Sequence, residues 1–150
     1  MKIIVCVDNQ NGMMFNHRRQ SQDRVLRKRI LELTGGKKLW MNAYSQKQFL
    51  QVNGNMSKEQ EQSGQLGQSG QIQADEAFLE KAGPGEPCFV EDRSVAPFAG
   101  RVERVVLYRW DRAYPADLYW DLSLEGWTLA RREEFPGFSH EIITKEVYIP

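Results

Sequence analysis

The chain has 150 residues, of which 41% are hydrophobic and 27% charged, and its 20 basic side chains balance its 20 acidic ones. This size and composition fit one globular domain, long enough to form its own core without the support of disulfides. The apolar run at residues 3–7 is far too short for a signal peptide or a membrane span. We therefore expect a cytoplasmic protein without a membrane anchor, in which Cys6 and Cys88 are buried, reduced thiols.

The charged residues are unevenly distributed along the chain. Residues 1–50 contain ten Lys or Arg and three Asp or Glu, a net charge of +7, whereas residues 51–150 contain ten and seventeen, a net charge of −7. A basic segment of this kind attracts phosphates, nucleotides or nucleic acids. Alternatively, the two portions interleave in the fold and neutralise each other.

The first part of the chain predicts strands that alternate with helices. Ser21 or Asp23 would begin the first helix, which Gly35-Gly36 would end, and Asn42 or Ser45 would cap the second helix. The predicted elements are a strand at residues 2–7, a helix from Asp23, a strand at 37–42 and a helix at 44–52.

Residues 53–73 interrupt this pattern, since they are rich in Gln, Ser and Gly and contain almost nothing to bury. They predict a flexible, low-complexity insertion, or else a docking tail that orders on binding. The elements predicted after them are a helix at 74–82, strands at 88–91 and 102–108, and an antiparallel pair at 127–131 and 141–148 with a turn at 135–137.

Together these elements predict one α/β domain over residues 1–150, a three-layer α/β/α sandwich. Its central sheet would be mostly parallel, with an antiparallel hairpin at the carboxyl-terminal end. In open sheets of this class, ligands bind where a strand leads into a helix. The first such junction lies between the strand at 2–7 and the helix from Asp23.

Local motifs resemble dihydrofolate reductase across most of the chain outside the insertion. Asn11-Gly12 lies where that family has Asn-Gly in its mobile active-site loop, and Asp23 falls close to the family's substrate-binding carboxylate. The other similar segments are residues 36–42, 74–77, 88–91, 102–111 and 141–148. The resemblance implies a dihydrofolate reductase-like fold with a reduced sheet, because the insertion occupies the region of at least one family strand.

The same resemblance breaks down at the cofactor motifs. After its second strand the family has Gly-Arg and then Thr, which hold cofactor phosphate, whereas this chain has Asn42-Ala43-Tyr44-Ser45. Glu91-Asp92 replaces the family's Gly-Gly pair, and two carboxylates there would repel a pyrophosphate. We therefore expect no cofactor, and NADPH only if the chain is an active reductase.

The candidate binding site is the polar run before the first helix. Its hydrogen-bond donors and two arginines favour an anion such as a phosphate or a carboxylate. Asp23 is the candidate catalytic residue, as an acid in the crevice, or else it complements the start of the first helix. The candidate ligand-binding residues are Asn16, His17, Arg18, Arg19, Gln20 and Ser21.

These features favour a diverged dihydrofolate reductase-fold protein, a pseudoenzyme that binds a small anionic ligand or a protein partner through residues 16–23. One alternative is an NADPH-dependent reductase that uses Asp23. Another is an RNA- or DNA-binding protein that uses the basic loop and first helix, with aromatic residues between 108 and 120 stacking on bases. The two histidines, His17 and His140, belong to no metal-binding motif, so we expect no metal. Whether the chain is an enzyme stays open.

Overall fold

The structure, a computed structural model, describes residues 1–54 and 71–150. Within these residues the strands are β1 (Lys2–Val7), β2 (Gly12–Phe15), β3 (Arg18–Arg19), β4 (Leu39–Met41), β5 (Ile72–Ala74), β6 (Pro87–Val90), β7 (Arg104–Arg109), β8 (Leu118–Tyr119), β9 (Thr128–Phe135) and β10 (Ile143–Ile149). The helices are α1 (Arg24–Leu33), α2 (Ala43–Gly54) and α3 (Phe78–Lys81), with a 3₁₀ helix at Ala96–Arg101.

Seven of these strands form the central sheet, in the order β5-β4-β6-β1-β7-β10-β9. Strand β1 pairs in parallel with both β6 and β7, whereas β10 is antiparallel to both β7 and β9. The expectation of a mostly parallel sheet with an antiparallel carboxyl-terminal hairpin is therefore confirmed. Apolar side chains occupy both faces of β1, as a strand that is covered on both sides requires.

Helices cover both faces of this sheet. On one face, Leu26 and Ile30 of α1 belong to the same buried cluster as Ile4 of β1. On the other face, Phe78 of α3 shares a cluster with Ile3. Ile3 and Ile4 belong to different clusters because successive side chains of a strand point to opposite faces. The core is thus divided into two layers by the sheet.

A second, three-stranded antiparallel sheet, in the order β3-β2-β8, begins shortly after β1. The two-residue loop Asn16-His17 connects β2 to β3, and both of its residues have positive φ, 53° and 63°. This is the conformation of a type I′ hairpin turn, which asparagine adopts more readily than most residues. The sequence patterns do not predict this sheet, because its strands have only two to four residues.

Two sequence-based expectations about the middle of the chain are wrong. The helix expected at 74–82 begins only at Phe78, because Ile72–Ala74 forms β5 and pairs in parallel with β4. Residues 72 and 73 therefore belong to the sheet rather than to the insertion predicted at 53–73. The start of that insertion lies in α2, which ends at Gly54, and residues 55–70 lie outside the described part of the chain.

Cys6 and Cys88 are both free thiols. Burial raises the pKa of the Cys88 thiol to about 12, so it is inert at neutral pH. In residues 1–54 and 71–150, no helix is both long and apolar enough to cross a membrane.

Candidate functional site

The candidate site lies around the β2–β3 hairpin, which follows the carboxyl end of β1. Asn16 and His17 form the exposed tip of this hairpin, and the backbone N–H of Asn16 donates to Asp117 Oδ2 at 3.0 Å. Arg18 is exposed as well. Three of the predicted ligand-binding residues are therefore accessible to a ligand or a partner.

Arg19 is engaged in an internal ion pair. Its Nε and Nη2 donate to the two carboxylate oxygens of Glu91 at 2.9 and 3.1 Å, and its guanidinium lies 4.4 Å from the centre of the Tyr44 ring. Ser45 Oγ also donates to Glu91, at 2.8 Å. Because Glu91 is only 8% exposed, this bidentate pairing neutralises its charge within the fold. The argument from sequence that Glu91 repels a pyrophosphate therefore needs correction. The same argument is weaker for Asp92, whose Oδ1 accepts from Arg93 Nε at 3.0 Å.

Gln20 connects the hairpin to the end of β1. Its Nε2 donates to Asp8 Oδ2 at 3.1 Å and to the Pro115 carbonyl at 3.3 Å. Burial alone would raise the pKa of Asp8, but hydrogen bonds from the Gly12 and Tyr114 amides outweigh it and lower that pKa. A Cβ at Gly12 would lie 2.7 Å from the Cβ of Ala116, which cannot rotate away, so this close approach requires glycine.

Ser21 belongs to a hydrogen-bonded array that the sequence does not reveal. Its Oγ lies 2.9 Å from Nε2 of His140, and Nδ1 of the same ring lies 3.0 Å from Asp23 Oδ2. Because an ionised carboxylate only accepts, Nδ1 donates to it, which in the neutral ring leaves Nε2 to accept from the Ser21 hydroxyl. The His140 ring is buried and stacks on Trp110, with 4.7 Å between the ring centres. The same order of groups occurs in serine nucleophiles that a histidine and a carboxylate activate.

Asp23 is the N-cap of α1 and is fully enclosed, since its side chain has no exposed surface. The donors to its carboxylate, at 2.8–3.3 Å, are the amides of Val25, Leu26, Phe138 and Ser139, the Ser139 hydroxyl and His140 Nδ1. Burial alone would raise the pKa of Asp23, but these bonds, led by the Phe138 amide, hold that pKa well below its usual range. The geometry is that of a helix cap, and a catalytic role for Asp23 stays a prediction.

His140 is the residue of this site that sequence reasoning misses. It follows Asp23 by 117 residues, and no spacing rule connects two such distant positions. The one local signal is the Gly137 of the predicted turn, where a Cβ would lie 2.6 Å from Asp23 Oδ2. Glycine is therefore required for the β9–β10 connection to approach this carboxylate.

Two cavities flank the β2–β3 hairpin. Met14 lines one and Phe15 the other, since neighbouring residues of a strand point to opposite faces. The acidic cavity, of about 520 Å³, is lined by Met14, His17, Tyr44, Asp92, Asp117 and Leu118. The Arg18 cavity, of about 340 Å³, is lined by Phe15, Asn16, Arg18, Arg19, Gln20, Tyr114 and Pro115. Four of the six predicted ligand-binding residues therefore line the Arg18 cavity.

Comparison with solved structures gives this architecture its class, a dihydrofolate reductase-like fold. The chain is similar to the dihydrofolate reductase from Enterococcus faecalis, solved in complex with NADP(H) and RAB-propyl. The TM-score is 0.60 at 9% sequence identity, over 99% of this chain and 94% of that one. No protein-family model matches the chain, and no curated protein matches it significantly. At this level of identity the similarity establishes the fold alone.

Proposed function

We propose that the protein is a diverged dihydrofolate reductase-fold protein without reductase activity, which binds an anionic group of a small ligand or protein partner in the Arg18 cavity. Arg18 supplies an exposed positive charge there, and Phe15 and Tyr114 supply aromatic surface beside it. Among the described residues, no carboxylate forms an ion pair with Arg18. The cavity volume of about 340 Å³ is within the range of small-molecule sites.

The environment of Asp23 is the main observation that supports a lack of reductase activity. A carboxyl group that delivers a proton must reach the substrate and have a pKa near the working pH. Asp23 has no exposed surface, and its pKa is held well below the usual range. It therefore stays ionised, enclosed and committed to the cap of α1.

The acidic cavity argues against an NADPH site. Asp92 and Asp117 are two of its lining residues, and only His17 among them can carry positive charge. Asn42, at the start of the altered phosphate motif, donates to Asp92 Oδ2 at 2.7 Å, so its amide is already engaged. A pyrophosphate in this cavity would meet Asp117, together with Asp92 in its pair with Arg93, and no arginine lines the cavity to bind it. The residues present do not fit the cofactor.

An NADPH titration followed by tryptophan fluorescence tests this part of the proposal. We expect no saturable quenching up to about 1 mM NADPH, the upper end of the concentrations at which enzymes use their substrates. The Enterococcus faecalis dihydrofolate reductase serves as the positive control in the same assay. Saturable binding in the micromolar range would refute the proposal and favour the reductase alternative.

A thermal-shift screen of carboxylates, phosphates and folates tests the Arg18 cavity, because a ligand that binds the native state stabilises it. We expect Arg18→Ala to abolish the stabilisation by a ligand of this cavity, while the matched control Arg132→Ala, on exposed β9, retains it. Arg19 is unsuitable as a probe, because its loss would leave Glu91 unpaired. A stabilising ligand that Arg18→Ala does not affect would place the site elsewhere.

The nucleic-acid alternative has less support. Arg29 of α1 pairs with Glu133 at 3.0 Å, and Arg24 lies 4.3 Å from the centre of the Phe138 ring, so both cations are engaged. The aromatic residues at positions 108 and 110 are 1% and 3% exposed and belong to the core. A salt-dependent mobility shift of single-stranded RNA would revive this alternative.

The array of Ser21, His140 and Asp23 favours a second candidate function, acyl transfer with Ser21 as the nucleophile. In this reaction the Ser21 oxygen attacks an acyl carbon, and His140 Nε2 takes the hydroxyl proton and returns it to the leaving group. Water then releases the acyl group from Ser21. The hydroxyl of Tyr114 lies 3.4 Å from Nε2, and Tyr114 also lines the Arg18 cavity, so the array borders that cavity.

Covalent labelling with a fluorophosphonate tests this second candidate. We expect one label per native chain, no label in Ser21→Ala, and slower labelling in His140→Asn. Ser123→Ala is the matched serine control, because Ser123 is exposed and its hydroxyl accepts from the Glu125 amide, outside the array. A native protein that does not react would refute this candidate and leave the array as a structural contact.

A further inference from the structure

A groove at the amino ends of the central strands has a rim of positive charge. Its volume is about 330 Å³, and Lys2, Pro87 and Arg104 line it at the amino ends of β1, β6 and β7. The Arg18 cavity, in contrast, follows the carboxyl end of β1. We call this feature the amino-end groove. Its basic lining residues are Lys2, Lys37, Arg104, Arg131 and Lys145.

The groove exists because α1 is shorter than the strands that it covers. Ile4 and Val106 lie beneath α1 in the buried cluster of that face. Two residues earlier on the same strands, and therefore on the same face, lie Lys2 and Arg104. Helix α1 ends at Leu33, which itself lines the groove. The sheet thus continues past the helix as an apolar floor between basic side chains.

The cations of this groove are not neutralised by its lining, which contains no carboxylate. Lys2 and Arg104 are direct neighbours in the register of β1 and β7, an arrangement of like charges that is unfavourable without a counter-ion. The nearby Glu103 bonds the terminal amino group at 3.0 Å, and Glu133 pairs with Arg29 at 3.0 Å. Glu133 also lies 3.4 Å from Arg131, which leaves that arginine only partly available.

The pKa values of two lysines in this groove, Lys2 and Lys145, are lowered, in part by the positive charges around them. Burial and the positive charges of Lys37 and Arg104 lower the pKa of Lys2, against a smaller opposing effect of Glu103. Burial and the nearby arginines lower the pKa of Lys145, and Glu133 opposes them. At the other end of β7, in contrast, Arg109 is paired with Glu146 at 2.8 Å.

We propose that the amino-end groove binds a small organic polyphosphate. Its phosphates would contact Lys2, Lys37 and Arg104 at the rim, and its flat or apolar part would lie against Leu33 and Val147. A groove of this volume accommodates a small molecule. An organic polyphosphate would bind both to its apolar floor and to its cations. This site does not depend on the proposed function, because it shares no lining residue with the Arg18 cavity.

Isothermal titration calorimetry with magnesium-free ATP, inorganic tripolyphosphate and adenosine tests the proposal. We expect ATP to bind most tightly, tripolyphosphate more weakly, and adenosine not measurably. Arg104→Gln and Lys2→Gln should each weaken ATP binding by about tenfold, as the loss of one phosphate contact does. The matched controls Arg132→Gln and Lys47→Gln, which change the net charge equally, should leave the affinity within about twofold.

Melting temperatures provide a readout that does not depend on ligand affinity. Without ligand, Lys2→Gln and Arg104→Gln should melt at or above the native temperature, because each removes like-charge repulsion. With ATP present, these variants should lose the stabilisation that the native protein and Arg18→Ala retain. A lower melting temperature without ligand, or equal weakening by the control variants, would overturn the proposal. Tighter binding of a single-stranded oligonucleotide than of ATP, lost in the same variants, would also overturn it by identifying a nucleic-acid surface.

Discussion

Replacing Asp23 with alanine should destabilise the protein by about 3–5 kcal/mol. The loss of the α1 cap contributes about 1 kcal/mol. The amides of Phe138 and Ser139, which donate to Asp23 at 3.0 and 2.8 Å, lose their acceptor in a partly buried position. An unsatisfied donor costs about 1–3 kcal/mol, and access of water to these two amides places each near the lower half of that range. The released His140 Nδ1 adds a further contribution.

Urea unfolding monitored by circular dichroism measures this change in the free energy of unfolding. In a chain of this size each kcal/mol lowers the melting temperature by about 2–4 °C, so we expect Asp23→Ala to melt roughly 6–20 °C lower. Asp75→Ala is the matched control, because Asp75 accepts from the Ala77 amide at 2.8 Å while its side chain keeps contact with solvent, and it should cost far less than Asp23→Ala. If the two variants differ by less than 1 kcal/mol, Asp23 does not anchor the β9–β10 connection.

Three further outcomes follow from the same contacts. The pKa of Asp23 is lower in the folded chain than its unfolded value of about 3.9, so the ionised carboxylate stabilises the fold fully above about pH 4 and less as the pH falls further. The urea midpoints of the native protein and Asp23→Asn should therefore converge below pH 4. A constant difference between them from pH 7 to pH 3 would contradict this. Arg19→Met should lower the free energy of unfolding by about 2–4 kcal/mol, because it leaves Glu91 buried without its cation. Adding Glu91→Leu should recover at least half of that loss in a urea titration. No recovery would show that Arg19 acts mainly through its packing on Tyr44. Removing most of residues 55–70 should change the urea midpoint little, because loop-closure entropy varies slowly with length, and a large loss of stability would identify the segment as part of the core.

The elements that the sequence predicts well are those whose signal is local. Apolar β-branched runs predict β1 and β7, and helical spacing together with a capping residue predicts α1. Strands β5 and β8 have only three and two residues, and they become strands through their partners rather than through their own composition. Their pairing is a property of the tertiary structure, so local patterns do not contain it.

The candidate site shows the same division. The sequence locates the polar run at 16–23 at the end of the first strand, and the structure places a hairpin and a cavity there. What the sequence does not contain is the partner of each side chain. Arg19 reads as a free donor until Glu91, 72 residues later, is placed beside it. His140 reads as an isolated histidine until the β9–β10 connection brings it against Ser21.

The cap of α1 has a consequence for how this chain folds during synthesis. Two of the amides bound to Asp23 belong to its own helix, and the remaining donors come from residues 138–140, more than a hundred positions later. Ribosomes produce the amino end first, so the nascent α1 has only its local bonds while most of the domain is still being translated. Strand β1, which is apolar on both faces, likewise pairs only with strands synthesised later, β6 and β7. We therefore expect the cap of α1 to be completed only when the β9–β10 connection emerges and encloses Asp23.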